Sequence, residues 1–198
     1  ISLCALHDNT TLMKIIIEKG CDVNKANKHG KCPLQVACEW DQLEAATILT
    51  DDPNINIDHL DGDRVTPISA ACGFGHTQIV SMLISKKANA EIPDKDEKCS
   101  IHKAVEKRHH ETVKILIKHG IDIDAQDILG NSPLHYAVEN DDKEITSLLI
   151  ANNCKLNVVN RMGETPIIIG IGKLGAQNET IQILLENRAD LSRRNIYG

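Results

Sequence analysis

Five short segments of one kind recur along this chain at a nearly constant interval. CPLQVAC begins at Cys32, TPISAAC at Thr66, CSIHKAV at Cys99, SPLHYAV at Ser132 and TPIIIGI at Thr165, with spacings of 34, 33, 33 and 33 residues. A second apolar segment keeps the same register: KIIIEKGCDVN ends at Asn24, SMLISKKANAE at Glu91, KILIKHGIDID at Asp124, SLLIANNCKLN at Asn157 and QILLENRADLS at Ser192. A third, glycine-bearing segment precedes new units as NKHGK, DILGN and NRMGE. Such a period is restrictive. A unit of about 33 residues cannot bury its own apolar faces and must stack on its neighbours.

The chemistry inside each unit says what stacks. Thr or Ser before Pro caps a helix and places Pro at its first position. Small residues such as Ala70, Ala71 and Ala104 follow, where a neighbour must come close. A polar turn leads to a second helix with apolar residues at helical spacing, as in Val113, Leu116 and Ile117. Gly20 and Gly120 fit left-handed helix ends. With its three motifs in fixed order over essentially the whole chain, the sequence resembles the ankyrin repeat. Its nearest copies are SPLHYAVENDDKEITSLLI and HKAVEKRHHETVKILIKHGIDIDAQD. The resemblance implies an all-α solenoid of paired antiparallel helices joined by β-hairpin-like loops.

The register gives one domain over residues 1–198: a partial unit over 1–26, then units starting near 32, 66, 99, 132 and 165. The extra residue within Asp52 to Ile57 should lengthen a loop after a second helix and leave the later register unchanged. Two extra residues between Gly172 and Glu179 should lengthen the turn between two helices. Neither terminal unit reads as a polar cap, so apolar faces should be open at Ile1 and near Ile183 to Leu185. Continuation into further repeats or domains is expected.

Composition narrows the function. A net charge of −6 argues against a dedicated nucleic-acid surface, which needs clustered Lys and Arg. No apolar run approaches the roughly 20 residues that cross a bilayer. Seven cysteines with no C-x-x-C among them suit a reducing, cytoplasmic setting. They fall at small core positions (Cys38, Cys72, with Cys4 one position earlier), at the Thr of the capping motif (Cys32, Cys99) and after the second helix (Cys21, Cys154). Neither a disulfide nor a metal site is expected.

One motif points elsewhere. Gly170, Gly172 and Gly175 satisfy G-x-G-x-x-G, and Asp190 lies 20 residues after Gly170, the spacing of a dinucleotide site. That site needs a strand, a glycine turn and a helix, whereas the register places Thr165-Pro166 at a helix start. A nucleotide-binding or enzymatic domain on this loop is therefore the competing reading, and a passive spacer in a longer solenoid is a third. No nucleophile, base and orienting group assemble in the register, so no catalytic residue and no cofactor are expected. His102 and His135 match the His of the family's L-H, which the resemblance makes structural. His76 and His109 occupy equivalent positions in adjacent units, too far apart to share a metal when packed helices lie roughly 8–10 Å apart.

What remains is surface. The resemblance implies a groove lined by first helices and hairpin tips, where a protein or peptide partner binds. Trp40 and Phe74 project onto equivalent groove positions, Tyr136 onto the inner face of a later first helix, and Tyr197 onto a tip. Leu129 and Met162 are apolar residues at other tips. Lys103 and Lys107 lie between Phe74 and Tyr136 and are expected to face acidic groups of the partner.

Overall fold

The computed structural model describes residues 1–192. These residues form twelve short α-helices and no strand. The helices come in six pairs: α1 (Ser2–Leu6) with α2 (Thr10–Glu18), α3 (Pro33–Glu39) with α4 (Leu43–Thr50), α5 (Pro67–Phe74) with α6 (Thr77–Ser85), α7 (Ser100–Glu106) with α8 (His110–Lys118), α9 (Pro133–Glu139) with α10 (Lys143–Ala151), and α11 (Pro166–Leu174) with α12 (Glu179–Glu186). Odd-numbered helices stack in one layer and even-numbered helices in the other. The all-α repeat architecture is thus the one that the sequence implies.

The motifs perform their expected local tasks. The Thr66 hydroxyl accepts from the Ser69 amide at 3.2 Å, and the Cys32 sulfur takes the same place toward Gln35 at 3.4 Å. Pro33, Pro67, Pro133 and Pro166 open their helices, where a missing N–H costs nothing. Every residue with positive φ among those described falls at one of three places in the unit. These are the turn between paired helices (such as Asp41 and Arg108), the end of the outer helix (such as Gly20 and Gly120) and the hairpin tip (such as Gly30 and Gly163). The second unit lacks the site after its outer helix. Pro53, whose ring holds φ negative, stands there instead, and the loop over 51–66 is longer than that over 86–99. The register beyond is intact.

Aligned columns of fully buried residues make the core. Leu34, Ile68, Ile101 and Ile167 form one column, and Leu49, Leu83, Leu116, Leu149 and Leu184 another. A third is small: Ala37, Ala71, Ala104 and Ala137, continued by the buried Gly170. The insertion after Gly172 behaves differently from its reading in the sequence. Most of it lengthens the helix: α11 has nine residues where α7 and α9 have seven.

A line of hydrogen bonds ties each outer loop to the next. Asn24 accepts from the Asn56 amide at 2.8 Å, Asp58 from Asn89 at 2.9 Å, Glu91 from Asp122 at 3.1 Å, Asp124 from Lys155 at 2.8 Å and Asn157 from Asp190 at 2.8 Å. At the tips the Lys95, Ile128 and Arg161 amides donate to the carbonyls of Asp63, Asp96 and Leu129.

Candidate functional site

The ends of the inner helices set out one row of side chains, one per unit: His7, Trp40, Phe74, Lys107, Asn140 and, in the lengthened last helix, Lys173. Trp40 and Phe74 are 60% and 56% exposed. Neither fills the core, although the chain has only four aromatic side chains with which to do so. Phe74 stacks on His76, with ring centroids 5.9 Å apart and planes 11° from parallel. Lys107 reaches to 3.8 Å from Glu106 with 61% of its side chain exposed. Asn140 donates to the Glu106 carbonyl at 3.0 Å.

Beside this row the inner face is closed by its own charges. Asp94, buried at the base of a tip, accepts from the amides of Asp96 at 2.9 Å and Lys98 at 3.0 Å, and its second oxygen binds Lys103. Asp127 does the same one unit on. It accepts from Leu129 and Asn131, each at 2.9 Å, and from the Tyr136 hydroxyl. Lys98 lies 4.6 Å over the Tyr136 ring and 2.7 Å from Glu106. Two expectations are corrected here. Tyr136 is 9% exposed, and burial, with Asp127 beside it, pushes its hydroxyl up to about 12, so it is an internal hydrogen-bond donor. Lys103 is neutralised by Asp94 and has no charge to spare, whereas Lys107 does. The signal was present: in both units the tip Asp meets the donor nine residues on.

In the last unit that pattern lapses. Asn160 stands at the tip and Ile169 nine residues on, so the tip side chain meets no polar partner at that helix position. An open cleft of about 860 Å³ lies there, with Leu129, Met162, Ile168, Ile169, Ile171 and Gly172 as its apolar lining and Asn131, Glu139, Asn160, Arg161, Glu164 and Lys173 as its polar one. Leu129 is 57% and Met162 42% exposed. Tyr197 lies outside the described residues. At the first unit Leu3, Leu12 and Ile15 are exposed; near the other end Leu184 is buried and Ile183 and Leu185 half-buried.

The competing chemistry can now be placed. Gly170 and Gly172 lie inside α11 and Gly175 caps it, so G-x-G-x-x-G runs along a helix and presents no strand-to-helix turn to a phosphate. The seven cysteines are unpaired, and Cys38 and Cys72 are fully buried. Among the described residues no His, Cys, Asp and Glu side chains gather as a metal would require. His76 and His109 each reach the preceding unit, at 3.3 Å to the Glu39 carbonyl and 3.0 Å to that of Gly73.

His102 and His135 join units as the resemblance implies. Each Nδ1 accepts a backbone amide, from Cys99 at 3.2 Å and Ser132 at 3.0 Å. Each Nε2–H then donates forward, to Ala125 at 2.9 Å and to Glu164 at 3.1 Å. Burial lowers both pKa values, so both rings are neutral in the fold. The unfolded chain binds protons at these sites first. Stability from this source is complete above the ordinary imidazole value of about 6.5 and is lost as pH falls below it. Melting temperature should therefore drop between pH 7.5 and 5.5, and a His102→Gln/His135→Gln variant should show a flatter dependence. Equal slopes would assign the effect to other groups.

Three family models match the chain: ankyrin repeats (3 copies) over residues 1–61, the single ankyrin repeat over 63–95, and ankyrin repeats (many copies) over 101–150. An ankyrin repeat protein of Rickettsia bellii is 30% identical over 81 residues, a match that covers 41% of this chain and 84% of that protein. The Variola virus ankyrin repeat protein OPG189 is 35% identical over 80 residues, which are 39% of this chain and only 14% of the viral protein. Among solved structures, the ankyrin repeat domain of Bcl-3, a member of the IkappaB protein family, superposes with a TM-score of 0.86 at 24% identity, covering 99% of this chain and 89% of that one.

Proposed function

Since the chain belongs to the ankyrin-repeat family, whose repeats are generally protein–protein interaction modules, we propose that it is a non-catalytic binding domain that holds a partner protein along the row at its inner helix ends. The observation that carries this reading is the pair Trp40 and Phe74, large aromatic side chains left in solvent in adjacent units. Interface hot spots favour such residues. Lys107 extends the same row with a charge, and Leu129 and Met162 add apolar contacts at the tips.

The negative net charge supports a protein partner over a nucleic acid. Among the described residues no helix is long and apolar enough to cross a membrane. Unpaired cysteines throughout support a reducing, cytoplasmic setting, in which the domain serves as part of a scaffold or regulator.

Trp40→Ala tests the reading. Unfolding should shift by no more than about 2 kcal/mol, because more than half of the side chain is exposed, whereas a core tryptophan would cost about 3–5 kcal/mol. Binding to a partner captured by the wild-type chain should weaken at least about thirtyfold, the equivalent of roughly 2 kcal/mol. A partner held equally by wild type, Trp40→Ala and Phe74→Ala would overturn the assignment.

A further inference from the structure

The inner face also describes the partner, given the reading above. Among the described residues its two uncovered apolar places are the Trp40–Phe74 pair and the cleft beside Ile169. Between them, side chains of the chain itself close the surface: Lys98 with Glu106, Lys103 with Asp94, Tyr136 with Asp127. We propose that the occupant is one extended segment of a partner protein with two apolar anchors, one over Trp40 and Phe74 and one in the cleft at Ile169, joined by a stretch that carries an acidic side chain opposite Lys107.

The spacing follows from the repeat. Three units separate Phe74 from the cleft. At roughly 10 Å per unit this is about 30 Å, which roughly nine residues of extended chain span. A helix would need about twenty residues for that distance.

The charge follows from the pairing. The glutamates next to the row, Glu39, Glu106 and Glu139, are taken by Lys31 at 2.7 Å, Lys98 at 2.7 Å and Lys173 at 3.4 Å, while Asp41 beside Trp40 faces His76 at 3.5 Å and Asp141 accepts from Asn178 and Thr180. Lys107 is then the surplus charge, 3.8 Å from a carboxylate that Lys98 already holds. The row itself, from His7 through Trp40, Phe74, Lys107 and Asn140 to Lys173, contains no acidic residue. A segment lying on it removes water from Lys107. An acidic side chain offsets that loss, and a basic one adds to it.

The test is selection from a displayed library of random 16-residue peptides against the chain, followed by affinity measurements on synthetic copies. Recovered peptides should carry two apolar clusters about eight to ten residues apart, with Asp or Glu between them, as the span requires. Phe74→Ala and a Leu129→Ser/Met162→Ser double variant should each weaken binding about tenfold or more, and Lys107→Glu more than Lys107→Gln. Peptides that respond to Trp40→Ala and Phe74→Ala but ignore the tip variants and Lys107→Glu would keep the row as a contact surface and overturn the two-anchor segment. Peptides blind to all of these variants would overturn both, and a selection that returns no binder would overturn the segment.

Discussion

Gly170→Leu should destabilise the fold by about 3 kcal/mol or more, through overpacking of a filled core. A Cβ on Gly170 would lie 2.3 Å from Ile181 Cδ1 and 2.6 Å from Val138 Cγ1. The first atom is the end of a flexible side chain and can swing away. The second is not, since turning Val138 moves both of its methyls and its χ1 is stiff in a helix. Alanine sets two effects against each other. Helix propensity favours it by about 1 kcal/mol, and overpacking opposes it by about 1–3 kcal/mol, so Gly170→Ala should be mildly destabilising. Gly172, two residues on in the same helix, has nothing within 4 Å of its Cβ direction. There only propensity acts, and Gly172→Ala should stabilise by roughly 0.5–1 kcal/mol. Denaturant midpoints at unchanged m-value check the pair. If both alanine variants shift the same way, close packing is not why Gly170 is glycine.

Asp127→Ala should cost roughly 3 kcal/mol. The carboxylate is buried and accepts from the amides of Leu129 and Asn131 and from the Tyr136 hydroxyl. Removing it strands three donors at a cost of about 1–3 kcal/mol for each one that water cannot reach. Water can reach the exposed tip more easily than the hydroxyl beneath it, which holds the total near the lower end of that sum. Tyr136→Phe removes only the last bond and should cost about 1 kcal/mol. Asn27 builds the corresponding turn in an outlying unit, accepting from His29 at 2.8 Å and Lys31 at 3.2 Å with its own side chain exposed. Asn27→Ala should therefore cost no more than about 1 kcal/mol. Calorimetry on the three variants gives the ranking, and equal losses for Asn27→Ala and Asp127→Ala would remove the case for a tip anchored through Tyr136.

The fold was legible because its determinants are local and repeated. Thr66-Pro67, the small residues at Ala71 and Ala104, and Gly120 each constrain the backbone where they stand, and the repeat fixes the contacts between them. The exposure of Trp40 and Phe74 was legible for the same reason. What was hidden depends on pairings between positions that vary from unit to unit. Position 103 holds lysine, 136 tyrosine and 169 isoleucine, so one column gives an ion pair, a buried hydroxyl and an open cleft. The reason for a glycine at position 170 was hidden in a related way: its neighbours Val138 and Ile181 come from two different helices, and only their convergence explains the missing side chain.

The line of hydrogen bonds from Asn24 to Asp190 joins each loop only to the next, and the substantial helix contacts likewise stay within a unit or between adjacent ones. A molecule tethered this way answers tension as a row of links in series, since no long-range clasp shares the load. Pulled from its ends, it should release one unit at a time, each adding about 110 Å of extended chain for its roughly 33 residues. A partner lying across several units would splice those links together, so occupancy of the inner face should be readable as a rise in the force at which the spanned units give way.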